Sequence, residues 1–185
     1  MLPSAAGFVD PLLSTGFTLT LQGVERLAKI LQQDLGSALL SVRLQSYAEQ
    51  TEYDLLAASS LIGGLYATMN NFSAFTAVSL LYFAAVSFSE AAFRLGKPEL
   101  APGLLLPSAS VLLERAHSLS DGRETEAFTE EVVRVIEPFN LGRFGDPALH
   151  NLYPVRAEDL LDAGSKLGAS RAEIVAMLER SGFYV

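Results

Sequence analysis

A stretch without a charged residue, from Leu55 to Ser89, constrains the fold of this chain more than any other part of its sequence. Its most apolar part, residues 72–88, is nearly as long as the ~20 apolar residues that a membrane-spanning helix needs. The central helix of a soluble helical protein, however, is apolar all round in the same way. Serine and threonine interrupt the most apolar part, residues 72–88, and no basic cluster flanks it as membrane spans require. The stretch therefore predicts a buried core helix of a soluble protein, with a membrane-associated helical protein as the weaker alternative.

Apolar residues recur at three- and four-residue intervals through most of the chain, which is the period of a helix. The first such series comprises Phe17, Leu21, Val24, Ala28, Leu31 and Leu35. Gly36 follows it and suits the C-terminal cap of a helix. Further helices are predicted over residues 37–49, 53–69, 72–95, 109–119 and 124–137, with two short ones near the C-terminus.

Short links between these helices favour antiparallel packing, and neither a strand pattern of period two nor a repeat of fixed length is present. The sequence thus predicts an all-α fold, a bundle of six to eight helices. We expect three segments: a loop over residues 1–16, the main bundle over 17–137, and an ordered loop with short helices over 138–185. Ser170 and Glu173 have the spacing of a capping box, which predicts the start of the last helix.

Charge and cysteine content exclude several kinds of function. The formal net charge is −8 and no stretch is rich in Lys or Arg, which argues against the basic surface that nucleic-acid binding requires. The chain has no cysteine, and its two histidines, His117 and His150, are isolated, so we expect no metal centre. The N-terminus shows no secretory signal. We therefore expect a cytoplasmic protein that binds neither nucleic acid nor a membrane.

The opening segment SAAGFVDPLLSTGF, residues 4–17, combines residues that form turns and helix starts. Asp10-Pro11 favours a turn, and Ser14 and Thr15 are good N-cap residues. Gly16 lets a ligand approach the backbone closely. Free N–H groups at a helix start attract anions and electron-rich groups. The segment therefore has two interpretations, an ordinary helix cap and a ligand-binding loop.

The opening segment also resembles the motif that closes over the flavin in flavin-dependent halogenases and related FAD-dependent monooxygenases. In those enzymes a run of small residues is followed by Asp/Glu-Pro-Leu and then Ser-Thr-Gly. Residues 80–96 and 138–161 resemble C-terminal segments of the same enzymes more loosely. The resemblance implies FAD as the cofactor, a halide as a further ligand in halogenases, and an aromatic or apolar small-molecule substrate. It implies flavin contacts for Ser4, Ala5, Ala6, Gly7, Asp10 and Pro11, and halide contacts for Thr15 and Gly16.

Two features of these enzymes are missing from the sequence. Leu13 stands where tryptophan halogenases have the glutamate that orients the halogenating species, so a tryptophan-type mechanism is not implied. No Gly-x-Gly-x-x-Gly after a strand, and no βαβ pattern, is present to bind a dinucleotide. We therefore expect the C-terminal, substrate-covering portion of such an enzyme, inactive alone, without an assigned catalytic residue, and completed by an upstream FAD-binding domain. The alternative is a stand-alone all-α binding or oligomerisation module without catalysis, which would form a homo-oligomer.

Overall fold

The computed structural model describes residues 2–119, 122–149 and 155–183, and over these residues the chain is all-α, without a strand. Its α-helices are α1 (Pro3–Ala6), α2 (Thr15–Asp34), α3 (Leu40–Thr68), α4 (Phe72–Arg94), α5 (Ala109–Ala116), α6 (Gly122–Ile136), α7 (Ala157–Asp162) and α8 (Arg171–Arg180). Short 3-10 helices lie at Leu12–Ser14, Pro98–Leu100, Glu137–Phe139 and Gly164–Leu167. The predicted all-α fold of six to eight helices is confirmed.

Helix ends follow the local signals in the sequence. Gly36, two residues after the end of α2, has a φ of 81°, in the left-handed region that favours glycine. At the start of α8, Glu173 N donates to Ser170 Oγ at 3.3 Å, and Ser170 N donates to the Glu173 carboxylate at 2.8 Å. The predicted helix end at Gly36 and the predicted capping box are therefore both confirmed.

The prediction of two separate helices over residues 37–49 and 53–69 is wrong, because α3 runs through both as one helix. The residues between them include neither glycine nor proline, so nothing in the backbone stops the helix. Thr51 is buried there, and its Oγ1 donates to the carbonyl oxygen of Tyr47 at 2.8 Å. Because this bond satisfies the hydroxyl inside the helix, the polar residues at 50–52 do not mark a break.

Residue contacts divide the chain into two compact units, Met1–Gly63 and Gly64–Val185. The first unit contains α1, α2 and most of α3, and the second contains the end of α3 and the helices from α4 to α8. The two units differ in kind from the segments that the sequence predicts, which are 1–16, 17–137 and 138–185. The segments are defined by loop and helix patterns in the sequence, whereas the units group residues that pack together.

In the first unit, α2 and α3 are joined by a buried ion pair. Arg26 Nη1 lies 2.5 Å from Asp54 Oδ2, and Gln50 Nε2 donates to Asp54 Oδ1 at 3.0 Å. Both carboxylate oxygens of the buried Asp54 are thus satisfied. Gly23 allows a close approach on the same helix, because a Cβ there would lie 2.3 Å from Cγ of Pro3. The short helix α1 therefore packs directly on the backbone of α2.

In the second unit, α4 is the central helix and packs against α5 and α6. The core side chains of this region are Leu65, Val78, Leu81, Leu113, Phe128, Val132 and Ile136. Its sequence makes α4 long and apolar enough to cross a membrane, and 61% of its most apolar stretch is buried inside the protein. Gly64 lies against this core, where an added Cβ would be 2.9 Å from Cδ2 of Leu113.

The C-terminal half of α4 supports a second cluster in the same unit. Its members are Phe88, Ala91, Ala92, Leu141, Ala163, Leu167, Ile174, Met177 and Leu178. The connection after α6 is fixed by Asn140, whose Oδ1 accepts from Phe144 N at 2.7 Å and whose Nδ2 donates to Phe144 O at 2.8 Å. The loop that the sequence predicts after residue 138 is described as far as residue 149. The predicted loop residues 150–154, including His150, lie outside the described residues.

Candidate functional site

The opening segment folds into a compact double turn before α2. After α1, Gly7 is extended and its N–H donates to the carbonyl oxygen of Pro3 at 3.1 Å. Asp10 Oδ1 then accepts from Leu12 N at 2.9 Å, and Ser14 N donates to the carbonyl oxygen of Pro11 at 2.9 Å. Asp10 and Pro11 are thus the turn-forming pair that the sequence predicts.

The backbone is strained where this turn meets α2. Leu13 has φ of 57° and ψ of 14°, and Ser14 has φ of 55° and ψ of 30°. Both residues are left-handed although neither is glycine, which costs on the order of 1 kcal/mol each. Strained backbone conformations of this kind cluster at active sites and ligand-binding sites, where the surrounding structure maintains them. No sequence signal marks them, because leucine and serine rarely adopt this conformation.

A cavity of about 370 Å³ lies between this turn and the first turns of α2. Its volume falls within the ~300–1,000 Å³ of typical small-molecule sites. The lining residues are Ser4, Phe8, Val9, Asp10, Pro11, Ser14, Gly16, Phe17 and Thr20. Apolar walls with a few polar groups are what a ring-shaped organic ligand requires.

Side chains at the start of α2 leave the end of the helix without a cap. The Thr15 side chain is fully buried and is not among the residues that line the cavity, and its Oγ1 has no hydrogen-bond partner among the described residues. Ser14, the N-cap residue, makes no side-chain bond to the helix, and the first turn holds no acidic residue. The positive end of the helix dipole therefore has no compensating side chain within that turn. The backbone N–H groups of this turn are the groups that can bind an anion.

The structure brings half of the sequence-predicted residues together. Ser4, Asp10, Pro11 and Gly16 line the cavity, and Thr15 lies between two of its lining residues. The three others, Ala5, Ala6 and Gly7, are exposed and are not among the lining residues. Gly7 instead lies against α3 in the same unit, where an added Cβ would be 3.2 Å from Cδ1 of Leu55.

Five lining residues were not predicted as part of the site: Phe8, Val9, Ser14, Phe17 and Thr20. Phe17 is part of the helical apolar series and Phe8 lies in the quoted motif, but only the fold places them on one cavity. Ser14 is the N-cap residue of α2, as its residue type indicates, but it is left-handed and its side chain makes no cap hydrogen bond.

The start of α2 leaves space beside its backbone. Among the described residues, nothing lies within 4 Å of a Cβ added at Gly16. Phe8 and Phe17 line the same cavity, whereas the buried Thr15 is not among its lining residues. The cavity is too small for a whole dinucleotide, whose pyrophosphate requires a glycine-rich turn between a strand and a helix.

Two further cavities lie in the second unit. One, of about 770 Å³, is lined mainly by α6, including Glu126, Glu130 and Arg134. The other, of about 480 Å³, is lined by residues of α4, α7 and α8, including Arg94 and Arg156. Neither contains a residue predicted as part of a site. Within residues 2–119, 122–149 and 155–183, no group of three or more His, Asp or Glu residues is placed to hold a metal ion.

No protein-family profile, curated protein or solved structure matches this chain. The observations that bear on function are therefore the resemblance of the opening segment and the cavity at the start of α2.

Proposed function

We propose that this chain is the C-terminal, substrate-covering part of an FAD-dependent halogenase-like monooxygenase, and that the opening segment contacts the edge of the flavin ring. The observation that supports this most is the cavity at the start of α2, which is lined by a residue of the strained turn, Ser14, and by the open backbone of Gly16. The strain costs stability and the glycine leaves space, and a bound ligand would account for both.

The chain's own residues have separate roles in this proposal. Phe8 and Phe17 form apolar walls that exclude water from the ring edge. The backbone N–H groups of Thr15 and Gly16, at the start of α2, donate to a halide or to a negatively charged oxygen. The bound flavin, once reduced, would supply the electrons for oxygen activation. Asp10 holds the turn through Leu12 N, so its role is positioning.

A second domain is part of the same proposal. The described residues contain no strand, and a dinucleotide pyrophosphate is bound at a helix start that follows a strand. The ADP half of FAD would therefore be bound by an upstream domain. The substrate would be an aromatic or apolar small molecule, and no residue of this chain is assigned a catalytic role.

Titration with lumiflavin, which is the ring system without the ADP half, tests the proposal. We expect the chain to bind lumiflavin weakly, and to bind FAD no more tightly than lumiflavin. Gly16→Val should remove this binding by filling the open space. Gly122→Val is the matched control, because an added Cβ also meets nothing there and the residue lies at the start of α6 in the other unit.

Three outcomes would contradict the proposal. Failure of lumiflavin to bind at millimolar concentration would exclude a flavin contact. Unchanged binding in Gly16→Val would place the ring elsewhere. FAD that binds at least tenfold more tightly than lumiflavin would show that this chain binds the ADP half itself.

A further inference from the structure

A stripe of apolar side chains on α2 and on its C-cap residue, Leu35, is exposed to solvent. Phe17 is 76% exposed, Leu21 is 67% and Leu35 is 74%. The stripe is completed by Val24, Ala28 and Leu31, which are also exposed. We call these six residues the α2 stripe. A continuous apolar face of this kind on a folded protein indicates an interaction surface.

The packing of the first unit does not use the α2 stripe. The residues that α2 buries are Thr15, Leu19 and Gly23, which follow one another at four-residue intervals on a different face. The helix thus has one face against its own unit and a second apolar face without a partner in the described structure. Amphipathic helices in a single globular unit carry one apolar face, so the second face requires a separate explanation.

The spacing within the α2 stripe is symmetric. Its residues follow one another at intervals of four, three, four, three and four, which read the same in both directions around Arg26. If a second copy of α2 lies antiparallel to the first, Phe17 faces Leu35 of the partner subunit and Leu21 faces Leu31 of the partner subunit. Each apolar residue then meets another, which is the self-complementarity that a twofold interface requires.

The area and charge of the α2 stripe also suit pairing with itself. Its side chains expose on the order of 600 Å² of apolar surface, and a standard interface buries ~800 Å² per partner. Phe8, 87% exposed, and Leu39, 55% exposed, lie beyond its two ends and can extend the contact. Beside the stripe, the charge of Glu25 is compensated by Lys29, whose Nζ lies 2.9 Å from Glu25 Oε1.

We propose that two copies of this chain associate through antiparallel packing of their α2 stripes. Phe17 also lines the candidate cavity, so Leu35 of the partner subunit would lie beside the cavity wall. Association would then restrict access to the cavity. The inference does not rest on the proposed flavin contact, since it depends on the stripe alone.

Disulfide cross-linking tests the register against a clean background, because the chain has no cysteine. Leu21→Cys and Leu31→Cys are prepared separately and oxidised alone or as a mixture. We expect cross-linked dimers in the mixture, because these positions face each other. Each variant alone should cross-link poorly, since the two copies of either residue would lie ~15 Å apart along the helix. Efficient cross-linking of Leu21→Cys alone would indicate parallel packing and would overturn the proposal.

Sedimentation equilibrium provides a test that does not depend on cysteine chemistry. Leu21→Glu should weaken dimerisation by roughly 30-fold or more, as expected for a charge at the centre of an apolar contact. The double variant Leu21→Glu, Leu31→Lys should restore it, because antiparallel packing pairs the two new charges. Val111→Glu, at an exposed position of α5, is the control and should leave the dimer unchanged. A wild-type chain that stays monomeric at all concentrations would overturn the proposal.

Discussion

At the scale of single residues, polar side chains in similar buried positions have opposite energetic roles. The Thr15 hydroxyl has no partner in the part of the chain that the structure describes, whereas the Thr51 hydroxyl donates to Tyr47 O at 2.8 Å. A buried hydroxyl without a partner retains its desolvation penalty of about 1–3 kcal/mol, and a bonded one adds about 1 kcal/mol of stability. The same chemical change at the two threonines should therefore have opposite effects.

Thr15→Val should raise the free energy of unfolding by about 1 kcal/mol, because valine has the shape of threonine without the unbonded hydroxyl. Thr51→Val should lower it by about 1 kcal/mol, since the side-chain bond is lost. Urea denaturation of both variants measures the two changes. A destabilised Thr15→Val chain would show that the hydroxyl does have a partner in solution.

Gly16 gives a second prediction at this scale, in which stability and binding change in opposite directions. Gly16→Ala should raise the free energy of unfolding by about 0.5–1 kcal/mol, because alanine favours the helix and its Cβ meets no atom within 4 Å. Gly122→Ala should stabilise by a similar amount for the same reason. Gly16→Ala alone should weaken lumiflavin binding. Equal effects of both variants on binding would contradict a specific role for Gly16.

At the scale of secondary-structure elements, the contact between α2 and α3 depends on a buried charge. Asp54 has a side chain 3% exposed and is paired with Arg26. Arg26→Met should destabilise the first unit by about 3 kcal/mol, because it leaves a buried carboxylate with Gln50 as its remaining partner. The double variant Arg26→Met, Asp54→Leu should recover most of this loss. Thermal unfolding measures the stability of both variants and of the wild type. If Arg26→Met were as stable as the wild type, the ion pair would be open to solvent.

The start of α8 should depend on pH. Ser170 donates its N–H and its hydroxyl to the Glu173 carboxylate, and these bonds hold the pKa of Glu173 below its usual value. A lowered pKa in the folded state contributes stability above the unfolded-state pKa, and this contribution is lost as pH falls through the folded-state value. Amide exchange in α8 should therefore be faster in Glu173→Ala than in the wild type at pH 7, and equal in both at pH 2. Glu179→Ala, in the last turn, should leave it unchanged.

Local signals and contacts explain which elements could be predicted. The end of α2 and the start of α8 were predicted correctly, because a cap depends on residues within one turn of each other. The continuity of α3 was not, because the polar residues at 50–52 satisfy themselves inside the helix. The left-handed conformation of Leu13 and Ser14 could not be predicted either, because it is maintained by the whole turn from Asp10 to Thr15.

At the scale of the whole molecule, most of the charge-free stretch lies in the core of the second unit. Its residues 64–89 form the end of α3 and most of α4, and Phe128 of α6 is fully buried in the same unit. Phe128→Ala should lower the free energy of unfolding by about 3–5 kcal/mol, because it leaves a cavity among packed side chains. Phe72→Ala is the control, since Phe72 is 77% exposed and should change stability by less than about 0.5 kcal/mol. Chemical denaturation followed by circular dichroism measures both variants.

The sequence by itself determined the helical class, the ends of several helices and the burial of α4, since each depends on periodicity or on residues within one turn. Tertiary structure alone decided which face of α2 is buried. The strongest apolar series predicted a helix correctly, yet its side chains are exposed, because Pro3 and Tyr47 occupy the face around Gly23 instead. The cavity also depends on tertiary structure, because the turn before α2 places Phe8 and Phe17 in the lining of one cavity. Contacts between residues distant along the chain leave no periodic signal, so the fold alone reveals them.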